Sequence, residues 1–210
     1  MLDGIVRRLI DPPLDRLGRR AADLGLRADA VTVAGLGLGL ACAGAIVLGL
    51  DGAALLLLAL NRFCDGLDGA LARATRRTDR GGFLDIVLDF VFYGAVPAAF
   101  ALRDPAANAV PAVILLFAFY VNGASFLAFA AVAARRGLES RARGLKSIYF
   151  TAGLAEGTET ILAFALMILW PGGFAAIAYL FAALTLMSAA ARVWLAWRTF
   201  PDGNPPTGAR

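Results

Sequence analysis

Long apolar runs restrict the backbone of this 210-residue chain more than any other feature does. Runs near residues 30–50, 53–74, 82–102, 108–134, 147–170 and 174–198 approach or exceed the length of about 20 residues that a helix needs to cross a bilayer. Lipid offers no partner to backbone N–H and C=O groups, so such runs fold as helices that close their own hydrogen bonds. Hydrophobic residues make up 60% of the chain, which excludes an ordinary soluble domain. Short loops separate the runs, so neighbours are expected to pack antiparallel. The expected fold is an all-α integral membrane protein with six transmembrane helices, preceded by an interfacial amphipathic helix.

That first helix is read from residues 2–26. Leu2, Ile5, Val6, Leu9 and Ile10 follow helical spacing, and the stripe resumes after Pro12-Pro13 at Leu14, Leu17, Ala21 and Leu24. Arg7, Arg8, Arg16, Arg19 and Arg20 lie between them, a pattern of a helix resting on a membrane surface. Charges recur every few positions here, with no continuous apolar core, so the segment is not a signal peptide. The chain divides into a juxtamembrane helix (1–27), a six-helix domain (28–200) and a tail (201–210) whose turn-rich composition predicts disorder.

Basic residues set the expected orientation. They cluster in the N-terminal segment, at Arg73, Arg76, Arg77 and Arg80, and at Arg135, Arg136, Arg141, Arg143 and Lys146. The opposite loops hold only Arg103, so both termini are expected on the cytoplasmic side, in a bacterium that of the inner membrane. The net charge of +4 does not signal nucleic acid, because the arginines track membrane topology. The chain has no histidine, which excludes histidine-ligated zinc and histidine general bases. Cys42 and Cys64 lie inside apolar segments and read as small hydrophobes.

Residues 65–89, DGLDGALARATRRTDRGGFLDIVLD, carry the chemistry. Asp65 and Asp68 are spaced i,i+3, and Asp85 and Asp89 i,i+4, so on helices each pair shares one face. Asn61, Asp65, Asp68 and Ala72 form one stripe, and a hairpin of the second and third spans is expected to bring both acidic pairs together about 5–10 Å below the membrane surface. Carboxylates at the edge of apolar runs are costly, and four together repel unless a cation holds them. Oxygen-only ligation suits a hard ion such as Mg²⁺ or Mn²⁺.

The spacing D-x2-D-G-x2-A-R-x7-G-x3-D-x3-D resembles the signature of the CDP-alcohol phosphotransferase family. Asp65, Asp68, Gly69, Ala72, Arg73, Gly81, Asp85 and Asp89 fill every fixed position. The resemblance implies two metal ions held by Asp65, Asp68 and Asp85, with Asp89 beside them as general base for the acceptor hydroxyl. It also implies CDP contacts from Gly69, Ala72, Arg73 and Gly81. At ADAVT, residues 28–32, many family members carry Pro-Asn-x-x-Thr; here Ala28 and Asp29 replace the first two and Thr32 remains. Asp29 either accepts from the cytosine amino group or caps a helix.

Other features leave alternatives open. Arg76, Arg77 and Arg80 serve topology and anionic lipid, or the site itself. Glu156 and Glu159, inside an apolar run, are either a structural pair satisfied by Thr158, Thr160, Asn61 or Arg62, or a lining of the acceptor pocket. Arg135, Arg136 and Lys146 are candidates to hold a phosphorylated acceptor. Phe90, Phe92, Tyr93, Phe117, Phe119, Tyr120, Phe126 and Phe129 are read first as lipid-facing. The resemblance implies a homodimer, for which Gly94, Ala98, Gly123 and Ala124 allow close approach. Trp194 and Trp197 fit an interfacial belt.

The expected function is metal-dependent transfer of a phosphatidyl group from CDP-diacylglycerol to an alcohol, releasing CMP. One alternative swaps the roles, with a soluble CDP-alcohol donating its phosphoalcohol to diacylglycerol. A distant alternative is a small cation transporter, disfavoured because the carboxylates gather toward one face.

Overall fold

A computed structural model describes residues 3–136 and 157–200, with side chains from residue 10 onward. The elements among them are all helical: α1 (Asp3–Asp23), α2 (Ala28–Val47), α3 (Asp51–Ala74), α4 (Asp79–Arg103), α5 (Pro105–Arg135), α6 (Gly157–Leu169), a 3₁₀ turn (Pro171–Gly173) and α7 (Phe174–Thr199). Among the described residues, four stretches are long and apolar enough to cross a membrane: α2, α4, α5 and Pro171–Thr199. At 24 residues α3 matches them in length, but its second half carries Arg62, Asp65, Asp68 and Arg73. The described part of the fifth expected span is the 13-residue α6; residues 147–156 and the tail 201–210 fall outside the described residues.

Local chemistry explains the helix ends. Gly25 and Gly49 adopt φ of 76° and 72°, a left-handed conformation that glycine enters without steric cost, and each ends a helix. Thr78 caps α4 by accepting from the Gly81 N–H at 3.0 Å. Asp104 caps α5 by accepting from the Ala107 N–H at 3.1 Å, with Pro105 at the first helical position. Arg103, expected as the lone basic residue of its side, pairs with Asp51 and so ties the end of α4 to the start of α3.

The packing order departs from a simple hairpin. Both α3 and α4 lean on α2 and make little close backbone contact with each other. Glycines in α2 permit this: a Cβ on Gly39 would lie 2.6 Å from the Phe92 ring, and one on Gly35 would lie 3.1 Å from the Cys64 Cβ. The acidic faces of α3 and α4 therefore meet across a gap. The remaining layer is built by α5 on α4 and by α7 on α5, with α6 between α3 and α7.

Aromatic residues sort by helical face, which corrects the lipid-facing expectation for several of them. Phe92 and Phe129 are buried, while Phe117, Tyr120 and Phe126 stay exposed. Phe92, Tyr93, Phe119, Phe164 and Phe181 form a core of tilted and edge-on contacts at 6.0–6.5 Å between centroids. Gly123, considered for contact between copies, lies under the Phe90 ring of the same chain, where a Cβ would approach to 2.3 Å. Trp194 and Trp197 are both exposed.

Helix α1 runs through Pro12 and Pro13 and docks on α3. Leu14 and Ala21 are buried there. Leu14 fills the space beside Gly66, and Gly18 approaches Ala70 so closely that a Cβ would lie 2.7 Å from its carbonyl carbon. The apolar stripe thus faces protein at these positions. Gly18→Val is expected to destabilise the detergent-solubilised protein by about 1–3 kcal/mol, since rigid backbone opposes the new side chain. Gly37→Ala, which meets nothing within 4 Å, is the control and is expected to leave thermal unfolding unchanged. Equal melting of the two variants would show that α1 is not docked.

Candidate metal and nucleotide site

The gap between α3 and α4 is a small open cleft roofed by α2. Thr32, Gly35 and Leu36 of α2 line it, with Asn61, Arg62, Asp65 and Asp68 of α3 and Asp85, Leu88 and Asp89 of α4. All four expected aspartates are present. Carboxylate oxygens of Asp65, Asp85 and Asp89 lie within 4.8 Å of one another. Asp68 lines the same cleft but turns toward the Thr32 hydroxyl and is nearly buried.

At such separations two unit charges repel by about 3–4 kcal/mol for an effective dielectric near 20. Exposure of Asp85 reduces its share. A divalent ion bridging oxygens relieves this repulsion, and the all-oxygen donor set fits Mg²⁺ or Mn²⁺. The residues present therefore fit the metal that the sequence implied.

One cation already reaches the cluster. Arg62, named in the sequence analysis only among possible partners of Glu156 and Glu159, donates through Nη2 to Asp89 Oδ1 at 3.1 Å, and its Nη1 lies 3.6 Å from Asp65 Oδ2. Its Nε donates to Asn61 Oδ1 at 2.8 Å, and the guanidinium lies 5.0 Å from the Phe92 ring centroid and 5.8 Å from that of Tyr93. Asn61, 3% exposed, donates in turn to the Gly35 carbonyl at 2.8 Å. Spacing would have revealed Arg62: it lies i−3 from Asp65, on the same face.

Of the residues expected to meet CDP, Thr32 lines the cleft, and Arg73 and Asp29 each enter an ion pair between helices. Arg73 holds Asp15 of α1 through Nε at 3.0 Å and Nη2 at 2.7 Å. Arg80 of α4 pairs with Asp29 of α2. Asp29 is not the helix cap: Arg27 occupies that position without a side-chain bond, and Asp29 lies in the first turn, where its charge suits the helix dipole. Thr32 donates to the Ala28 carbonyl at 3.0 Å. Gly81 is accounted for by the Thr78 cap and by Asp29, since a Cβ there would lie 3.1 Å and 3.4 Å from their oxygens. Gly69 differs: a Cβ would meet only the Arg73 guanidinium, at 3.5 Å, so packing within the chain does not demand glycine there. Ala72 is half-buried on the same helix.

Of the acceptor candidates, Arg135 is exposed at the end of α5, and Arg136 lies 5.8 Å from the Phe200 ring centroid. Lys146 and Glu156 lie outside the described residues. Arg192, absent from the sequence expectations, is 9% exposed inside α7. Its Nη1 donates to Asn122 Oδ1 at 2.9 Å, the Asn122 carbonyl at 3.1 Å and Ser125 Oγ at 2.7 Å. An ionisable residue within an apolar run was its signal.

A family model described as CDP-alcohol phosphatidyltransferase matches residues 26–200. "Inner membrane protein YnjF" of Escherichia coli (strain K12) is 46% identical over 199 residues, covering 95% of this chain and 97% of the relative. "Archaetidylinositol phosphate synthase" of Pyrococcus horikoshii is 38% identical over 85 residues, 40% of this chain and 45% of that protein. In fold, the chain resembles the crystal structure of Mycobacterium tuberculosis phosphatidylinositol phosphate synthase (PgsA1) with CDP-DAG bound, at a TM-score of 0.72, 21% identity, and coverage of 90% of this chain and 95% of that one. The same enzyme in complex with manganese and citrate gives a TM-score of 0.70 at 22% identity, covering 90% of each chain.

The geometry separates buried from exposed polar links. Asn61→Ala is expected to cost about 1–3 kcal/mol of stability, because it removes the bond to α2 and leaves a half-buried guanidinium less supported. Asp15→Asn, at a half-exposed pair, is expected to cost less than about 1 kcal/mol. Chemical denaturation of both variants in one detergent checks the order.

Proposed function

This chain belongs to the CDP-alcohol phosphatidyltransferase family, and we propose that it transfers a phosphatidyl group from CDP-diacylglycerol to an alcohol, releasing CMP. It is a phosphotransferase of an all-helical membrane fold; the donor, the acceptor and the residue roles are our reading. One observation carries it: Asp65, Asp85 and Asp89 converge within 4.8 Å in a cleft that Asp68 and Thr32 also line.

Asp65, Asp68, Asp85 and Asp89 would hold Mg²⁺ or Mn²⁺, for which we favour two ions. When bound, the ions neutralise charge on the pyrophosphate and on departing CMP. The residues of the chain supply the rest. Asp29 and Thr32 on α2, with Gly69, Ala72, Arg73 and Gly81, bind the CDP moiety at the mouth. Gly69 supports this, because the space beside it is approached only by the Arg73 guanidinium, 3.5 Å from where a Cβ would stand. Arg73 presents a fork suited to phosphate oxygens once it leaves Asp15. Asp89 takes the proton of the acceptor hydroxyl; the resulting oxygen attacks the β-phosphorus, the bond from that phosphorus to CMP breaks, and CMP leaves. Lipid tails enter from the bilayer, and the polar acceptor enters from the side bearing Arg73, Arg76, Arg77 and Arg80, which we assign to the cytoplasm.

For the acceptor, we favour a phosphorylated alcohol. Relatives named for synthesis of inositol phosphate lipids point that way. So do the basic candidates Arg135 and Arg136, with Lys146 and the acidic candidate Glu156 outside the described residues. The inner membrane assignment follows the E. coli relative's name, and a homodimer is part of the same proposal. The swapped-donor reaction uses the same cleft. Membership of an enzyme family sets the transporter alternative aside.

Purified full-length protein, supplied with CDP-diacylglycerol, Mg²⁺ and a panel of free and phosphorylated alcohols, is expected to release CMP with one of them. Asp89→Asn is expected to lower that rate by about 10²-fold or more. Release that is indifferent to Asp89→Asn would remove its role as base. Release only from a soluble CDP-alcohol with diacylglycerol would replace this reading with the swapped one.

A further inference from the structure

The carboxylate cluster contains a cation of its own. Arg62 bonds Asp89 and approaches Asp65, two of the three acids that converge. It does not hang loosely there. Asn61 holds its Nε, Asn61 is itself fixed to the Gly35 carbonyl, and the Phe92 and Tyr93 rings lie alongside its guanidinium. Three elements, α2, α3 and α4, thus aim one guanidinium into the acidic cleft.

We propose that Arg62 is a built-in counter-cation of this cluster: it holds Asp89 when no divalent ion is bound, and it lowers the affinity of the cluster for such ions. The inference rests on the metal-binding role proposed above and adds a positioning residue to it. A permanent positive charge near two ligand carboxylates offsets their mutual repulsion, which would otherwise be relieved wholly by bound ions. It also opposes a second cation electrostatically. The metal-free protein gains order; the metal-bound protein gains exchange. Removing the charge should therefore push the two states in opposite directions, and a merely structural arginine would not do that.

The experiment is Mn²⁺ binding to full-length protein in nanodiscs, read from the free-ion EPR signal, beside thermal unfolding in EDTA and in excess Mn²⁺. Arg62→Gln is expected to bind Mn²⁺ about tenfold tighter. It is also expected to melt earlier than wild type in EDTA, with the deficit shrinking in Mn²⁺. Arg62→Lys, which keeps the charge, should stay close to wild type in Mn²⁺ affinity. With Asp89→Asn in the background, Arg62→Gln should tighten binding less, because the pair it breaks is already gone. Mn²⁺ affinity unchanged or weakened in Arg62→Gln, while wild type binds, would overturn the counter-cation role and leave the proposed reaction standing. No Mn²⁺ binding by wild type or any variant would overturn both. An equal loss of melting temperature in EDTA and Mn²⁺, with unaltered affinity in the folded fraction, would reduce Arg62 to a packing residue.

Discussion

Like charge crowded at the edge of a membrane is the constraint from which the rest of this architecture follows. Asp65, Asp85 and Asp89 bring carboxylate oxygens within 4.8 Å, in helices whose other faces are apolar. Left alone, α3 and α4 would be driven apart. Both are instead anchored on a third helix, α2, through glycines that permit close approach. At the far end Arg103 and Asp51 tie α4 to α3, and near the acids Arg62 bonds Asp89 across the cleft. The cleft exists because the scaffold holds two repelling helices at fixed separation, with packing on α2 in place of packing on each other.

Arginines are ordered by depth around those acids. Arg62 lies three residues further into α3 than Asp65, about 4.5 Å by helix rise, opposite the inner acid of α4. Arg73 and Arg80 stand at the mouth, each paired with an aspartate from another helix. From the interior outward the sequence of charge is cation, anions, cations. In the proposed reaction, divalent ions meet the middle layer and phosphate oxygens fall between those ions and the outer arginines. The outer pairs are at least partly exposed and individually weak, so exchanging Asp15 or Asp29 for phosphate costs little. The inner pair, more enclosed and braced by Asn61, is harder to exchange.

Much of this was legible in the sequence because periodicity and spacing act within one helix. The helix expected at 174–198 is observed as Phe174–Thr199, and that expected at 53–74 as Asp51–Ala74. The i,i+3 and i,i+4 aspartates do all line one cleft, together with Thr32. What a spacing rule does not contain is which helix opposes a given face. That is why α2 between α3 and α4 was not anticipated, and why Asp68 turning to Thr32 differs from the other three acids. The aromatic run on α4 and α5 was read as lipid-facing for the same reason: Phe92 and Phe129 carry no local mark of burial, while Phe117 and Tyr120 carry none of exposure.

Arg62 and Arg192 show where a sequence reading that counts basic residues goes wrong. Basic residues near span ends were treated as topology signals, a rule suited to Arg76 and Arg77, which lie exposed past or at the end of α3. An arginine inside an apolar run cannot be explained that way, since a guanidinium placed there must be met by partners the chain itself provides. Arg62 meets two carboxylates, an amide and two rings; Arg192 meets Asn122 and Ser125. The two differ in what surrounds them. Arg62 faces acids and so acts against cations, whereas Arg192 donates to neutral oxygens of Asn122 and Ser125. Burial, more than distance along the chain, thus separates arginines left exposed from those that the chain itself partners.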